Sequence, residues 1–129
     1  MFSQTAEYAL RAAVTLAEQG RAVTASELAE LTSVPPPYLF KVMRALVEAG
    51  VAVSQRGKYG GYLLARPAGE MTLLDVVNAV DPLPRIRRCP LGKPEHAAAL
   101  CPLHRQMDAA YAQMEAALGQ QTLAQLSQA

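Results

Sequence analysis

The stretch "SVPPPYLFKVMRALVEAGVAVSQRGKYGGYLLAR", residues 33–66, constrains the chain more than any other. Proline is tolerated in the first turn of a helix, where its missing N–H has no intrahelical partner to lose, so Pro36 or Pro37 opens a helix here. Leu39, Val42, Met43, Leu46 and Val47 recur at i, i+3, i+4, i+7 and i+8, a full apolar stripe, and Gly50 ends the run. Tyr38, Lys41, Arg44, Ala45 and Glu48 are left for the outer face. "VAVSQ" (51–55) alternates apolar and polar residues and is rich in β-branched ones, which predicts a strand. "RGKYGG" predicts a glycine-rich turn, and "YLLA" (62–65) the returning strand of a hairpin.

The flanking segments fit around this unit. Ala6, Ala9, Leu10, Ala13, Val14 and Ala17 share helical spacing, predicting an amphipathic helix over about residues 4–19 that stops at Gly20. Thr24 with Glu27 three positions on predicts a capping box before the short helix "ASELAELT". Thr72 caps a further helix, "LLDVVNAV", and residues 81–100 read as irregular. A last long helix starts near Pro102. Its Leu103, Met107, Ala110, Met114 and Ala117 form a heptad-spaced seam, with Tyr111 and Leu118 beside it. The seam could pack on its own domain, but the preceding elements already make a compact unit, which favours a homodimer. The expected fold class is mainly α with a small β-hairpin. It divides into a winged helix-turn-helix over residues 1–80, a loop over 81–101, and a long C-terminal dimerisation helix with its tail over 102–129.

Composition narrows the function. The chain has 129 residues, of which 51% are hydrophobic and none is Trp, so its core must be Leu, Val, Ala and Met. The N-terminal segment carries Glu7 and Arg11 within its apolar run and does not read as a signal peptide. No apolar run is long enough to span a bilayer, so a soluble, cytoplasmic protein without a membrane partner is expected. The net charge of +1 conceals segregation. Residues 34–66 carry Lys41, Arg44, Arg56, Lys58 and Arg66 against Glu48; residues 85–105 carry Arg85, Arg87, Arg88, Lys93 and Arg105 against Glu95. Each segment has a balance of +4, while the stretches between and around them are acidic. Two basic segments suit a polyanion bound on one face.

Helix, short helix, sharp turn, helix, hairpin is the order of a winged helix-turn-helix, with residues 37–49 as the recognition helix. Tyr38, Lys41 and Arg44 would face the major groove of double-stranded DNA, where Arg and Lys reach guanine edges or phosphates. Arg56, Lys58 and Tyr59 at the hairpin tip would form the wing. Alternatively, Arg44 simply pairs with Glu48 at i,i+4 on a solvated face, and "RGKYGG" is only a turn. An enzyme has no support: no phosphate-binding glycine loop occurs, and both histidines lie in one irregular stretch without a nearby Asp.

"YLFKVMRALVEAGVAVSQRGKYGGYLLAR", followed by "MTLLDVVNAVD" and preceded by "EYALRA", resembles the Rrf-two family of bacterial regulators, the IscR/NsrR-type group. The resemblance covers residues 1–118. It implies a homodimeric winged-helix transcription regulator, usually a repressor, bound to promoter DNA. Many members sense iron–sulfur, redox or nitric oxide status through a cluster.

"CPLGKPEHAAALCPLH" (89–104) holds both cysteines and both histidines of the chain. Cytoplasmic thiols stay reduced, so metal or redox chemistry is expected before a structural disulfide. The resemblance implies ligands at three cysteine positions; Cys89 and Cys101 match the first and third, and Glu95 stands at the second. It further implies a ligating histidine at His104 and a carboxylate from the other subunit's first helix at Glu7. A two-cysteine branch would place a histidine one turn later, where this chain has Arg11, leaving His104 first and His96 second as substitutes. Two Cys with His and Glu suit a 2Fe–2S iron–sulfur cluster. A zinc site, a metal-free loop with a reversible Cys89–Cys101 thiol switch, or a cluster-free regulator whose signal is a partner protein such as a metabolic enzyme, stays open.

Overall fold

The structure, a computed structural model, describes residues 2–83 and 102–127. Helix α1 (Gln4–Gln19) is the central element. Ser3 caps it by accepting a hydrogen bond from the Ala6 N–H, and Gly20 closes it at φ 63°. Ala6, Ala9, Ala12 and Ala13 are fully buried. Methyl-sized side chains let other elements approach the α1 backbone closely, and α2, α3, α4 and α6 all pack on it.

Helix α2 (Ala25–Thr32) follows Thr24, whose Oγ1 accepts from the Glu27 N–H. Only this half of the expected capping box forms. The Glu27 carboxylate turns instead to Arg21 in a two-pronged ion pair. That hydrogen bonding lowers the Glu27 carboxyl below its ordinary range and raises the Arg21 guanidinium. Helix α3 (Pro36–Glu48) carries proline in its first turn and buries Leu39, Val42, Met43 and Leu46. Val47 is only half-buried.

Strands β1 (Ala52–Gln55) and β2 (Gly61–Leu64) pair antiparallel, with Ala52 opposite Leu64 and Gln55 opposite Gly61. The alternation expected in β1 does not become alternating burial. Val51 and Ala52 are both buried, and Val53, Ser54 and Gln55 are all exposed. Strand β1 leaves the core after Ala52, whereas β2 stays half-buried, with Tyr62 and Leu64 packed on the core, and holds the ribbon in place. Its anchor is Val23, in the α1–α2 connection, which exchanges two backbone hydrogen bonds with Tyr62, at 3.0 and 2.7 Å.

After a 3₁₀ turn at Ala68–Glu70, helix α4 (Leu73–Val80) starts with a complete capping box between Thr72 and Asp75. It packs on α1, α3 and α5. Helix α5 (Pro102–Gln120) is long, and His104 is its one buried residue. Residues 121–127 then turn back: Thr122 bridges Thr72, the Leu123 N–H donates to the Met71 carbonyl, and the Leu73 N–H donates to the Gln121 carbonyl. Helix α6 (Leu123–Ser127) opens with its own capping box, Thr122 with Gln125, and packs on α1. Leu123 is fully buried in the shared core. Among the described residues, the buried hydrophobic side chains are all Ala, Leu, Val or Met, and no helix is long and apolar enough to cross a membrane.

Candidate DNA-binding surface and sensor residues

The buried stripe of α3 fixes which side chains it can offer. Leu39, Val42, Met43 and Leu46 lock one side into the core, so Lys41 and Arg44 project outward, both exposed. Arg44 Nε donates to Glu48 at 3.2 Å. The two side chains are 83% and 68% exposed, so the pair is worth only about 0.3–0.5 kcal/mol. Arg44 can therefore exchange Glu48 for a phosphate or a base at little cost.

Tyr38, at one flank of the helix, is half exposed and tied to α1. Its ring lies 6.1 Å from that of Tyr8, tilted by 57°. Arg11 in turn sits 5.5 Å from the Tyr8 centroid and donates to the Thr32 carbonyl at 3.4 Å. This Tyr38–Tyr8–Arg11 stack orients the start of α3 on the rest of the unit. Lys41 shares a small cavity with Gln4, Thr5, Tyr8 and Tyr38.

The opposite flank holds a residue that the sequence reading passed over. Phe40 is 60% exposed although it is fully apolar. Its signal was available: it lies one position off the buried stripe, and a helix turns about 100° per residue.

The hairpin tip presents Arg56, Lys58 and Tyr59, all exposed. Lys58 Nζ lies 5.7 Å over the Tyr59 ring, and Gln55 Nε2 holds the Tyr59 carbonyl at 3.2 Å. Two glycines make this tip possible. Gly57 turns at φ 103°. Gly61 sits at φ 143°, where an added Cβ would fall 2.5 Å from the Val23 carbonyl carbon and oxygen. The wing is thus tethered to the α1–α2 connection by an approach that admits no side chain.

The sensor residues divide differently. Cys89, Glu95, His96 and Cys101 lie outside the described residues, as do Arg85, Arg87, Arg88 and Lys93. His104 is in the first turn of α5 and only 2% exposed. It has a polar, ring or electrostatic partner, as do Arg105 and Asp108. Glu7 is exposed and lines a groove of about 500 Å³ between α1 and α2 with Leu10, Arg11, Val14, Thr15 and Leu31. No residue of α5 lines that groove. Among the described residues, no group of three or more His, Cys, Asp or Glu is placed to hold a metal ion. The donor set itself, two thiolates with imidazole and carboxylate, suits iron.

A buried helix carrying outward cations, followed by a tethered basic hairpin, defines a winged-helix DNA-binding protein. The chain belongs to the Rrf2 family, described as iron-dependent transcriptional regulators, whose profile matches residues 2–129. It is 35% identical over 128 residues to the HTH-type transcriptional regulator Rv1287 of Mycobacterium tuberculosis, covering 97% of this chain and 80% of that protein. The fold is shared with CymR, the global cysteine regulator of B. subtilis, at a TM-score of 0.81 and 21% identity, covering 99% of this chain and 96% of that one. It is also shared with T. potens IscR, at 0.81 and 22%, covering 99% and 86%. Family and fold are those of transcriptional regulators, not enzymes.

Proposed function

We propose that the chain is a homodimeric transcriptional repressor that places α3 in the major groove of operator DNA and its hairpin on the neighbouring backbone. The observation that carries this reading is the division of α3 itself, with Leu39, Val42, Met43 and Leu46 buried on one side and Lys41 and Arg44 exposed on the other. The supporting wing offers Arg56 and Lys58, with Tyr59 beside them. Dimerisation is supported by α5. Leu103, Ala110 and Ala117 of its seam are exposed in the single chain, and Met107, Tyr111, Met114 and Leu118 are only half-buried. The working unit would divide into residues 1–80 for DNA, 81–101 for sensing and, within 102–129, helix α5 for pairing the copies, with residues 121–127 folded back onto the α1 core.

The same reading assigns signal detection to a 2Fe–2S cluster held by Cys89 and Cys101, with His104 and the second copy's Glu7 completing the set and Glu95 and His96 as substitutes. When bound, such a cluster supplies a redox-active iron centre tied to the start of α5. The chain's own packing can carry a signal onward from there. Helix α5 begins one residue after Cys101 and packs on α4, and α4 packs on α3. A shift at residues 101–104 would therefore reach the recognition helix through two helix contacts, and half-site spacing tolerates little displacement. A second reading, a thiol switch between Cys89 and Cys101 without iron, is favoured by the shared fold with CymR, one form of which from Staphylococcus aureus is described as oxidised.

Two measurements test these statements. Affinity for promoter duplex should fall steeply with salt, as each lysine or arginine on a phosphate adds about one unit to the log–log slope. Absence of duplex binding in both metal-loaded and metal-free protein sinks the regulator reading. Protein purified without oxygen should be coloured and contain iron and sulfide in equal amounts. A colourless protein that resists reconstitution, yet loses DNA binding on oxidation and recovers it with thiol, selects the second reading.

A further inference from the structure

We infer that Phe40 reads a thymine, by packing its ring against the C5-methyl group in the major groove. This rests on the DNA-binding reading above and adds a base preference to it.

Single exposed apolar residues are ordinary on protein surfaces and usually carry no meaning. Phe40 differs in three respects. It lies near the N-terminal end of α3, five positions into a helix of 13 residues, and this is the part of a recognition helix that meets base edges. Cations adjoin it: Lys41 is the next residue, and Arg44 follows one turn later on the same side. An exposed phenyl ring beside Arg44, whose pairing with Glu48 is solvated, and with Lys41 farther round the same outer face, is poorly placed for burial in an apolar protein partner. It is well placed in a groove whose walls are phosphates. Finally, the ring lines an apolar cleft of about 400 Å³ with Ala25, Ser26, Ala29, Pro36 and Leu39.

That cleft runs between the two helices of the helix-turn-helix. The apolar group that a B-form major groove displays is the thymine methyl, and phenylalanine is among the side chains that contact it. The charge of the segment argues for DNA as the occupant, since residues 34–66 carry a balance of +4. Lys41 and Arg44 would supply affinity or guanine contacts, while Phe40 would choose thymine over cytosine at the adjoining base pair.

The test uses the full chain. Duplexes bound by the wild type are selected from a random pool, and each thymine of the selected site is replaced in turn by deoxyuridine, which removes only the methyl. Wild-type protein should lose about threefold to tenfold in affinity at one symmetry-related thymine per half-site, the expectation for one buried methyl group. Phe40→Ala should bind the thymine and uracil duplexes within about 1.5-fold of each other, and Phe40→Leu should keep part of the discrimination. Phe40 is exposed, so both variants should retain the wild-type melting temperature. Equal sensitivity of wild type and Phe40→Ala to uracil, or no sensitive thymine at all, overturns the inference while leaving the regulator reading intact. A change of oligomeric state in Phe40→Ala, with base preference unchanged, reassigns Phe40 to a protein contact and also overturns it. Failure to select any duplex removes both readings together.

Discussion

Helices α1 and α5 have similar lengths, 16 and 19 residues, yet α1 buries five side chains and α5 buries one. Helix α1 is wrapped by α2, α3, α4 and α6. Among the described residues, α5 touches its own chain mainly through α4, and its heptad seam is exposed or only half-buried. A helix in water draws most of its stability from a packed face, because propensity alone hardly sustains even a good sequence of this length. The contrast fits the proposed dimer, in which α1 organises the core of each copy and α5 meets the second copy.

The largest expected effect breaks the α5 side of that comparison. Replacing Met107→Glu and Met114→Glu together would bury two carboxylates in the seam of the proposed dimer. We expect monomers by sedimentation and a loss of affinity for a two-half-site operator of about 10²-fold or more, since the second half-site contributes only while the copies are linked. The melting of the α1-centred unit should hardly change. A variant that stays dimeric would show that the seam packs elsewhere.

Next is Leu123→Ala, which tests whether the C-terminal residues belong to the α1 side. Leu123 is fully buried against the shared core, so truncation should cost about 2–5 kcal/mol in chemical denaturation. A loss below about 1 kcal/mol, within the range of surface substitutions, would make α6 an ornament on the dimer helix instead. Gly61→Ala should cost about 1–3 kcal/mol, because φ 143° and the 2.5 Å approach to Val23 both exclude a Cβ. It should weaken DNA binding as well, by releasing the wing from Val23.

These elements differ in how far local rules reveal them. The α3 stripe, the proline start and the hairpin follow from periodicity and turn chemistry, and the structure places them within a residue or two of expectation. What escaped was nonlocal. "TLLD" at 72–75 and "TLAQ" at 122–125 are both capping signatures, but nothing local says that their threonines bridge each other and carry the chain's end back to α1. Nor does periodicity reveal that Val23 completes the sheet beside Tyr62. Glu27 shows the opposite failure. The local rule was sound, but Arg21 offered the carboxylate a full charge in place of the Thr24 N–H. Phe40 was legible in principle, since its angle from the stripe excludes it from the core, yet its apolar character suggested no role until its exposure was seen.

The smallest expected effect concerns that Arg21–Glu27 pair, which lies on the α1 side, where burial rather than charge should dominate. The pair lowers the Glu27 carboxyl, so any stability it gives is present above the ordinary carboxylate range and disappears as pH falls through the lowered folded value. Both side chains are substantially exposed, at 52% and 36%, and solvent screens them. Glu27→Gln should therefore leave the melting temperature at neutral pH nearly unchanged, and the small difference from wild type should vanish in acid. A large loss at neutral pH that salt cannot reduce would mean that the pair, and not the alanine-lined core around α1, holds the α1–α2 connection in place for Val23 to anchor the wing.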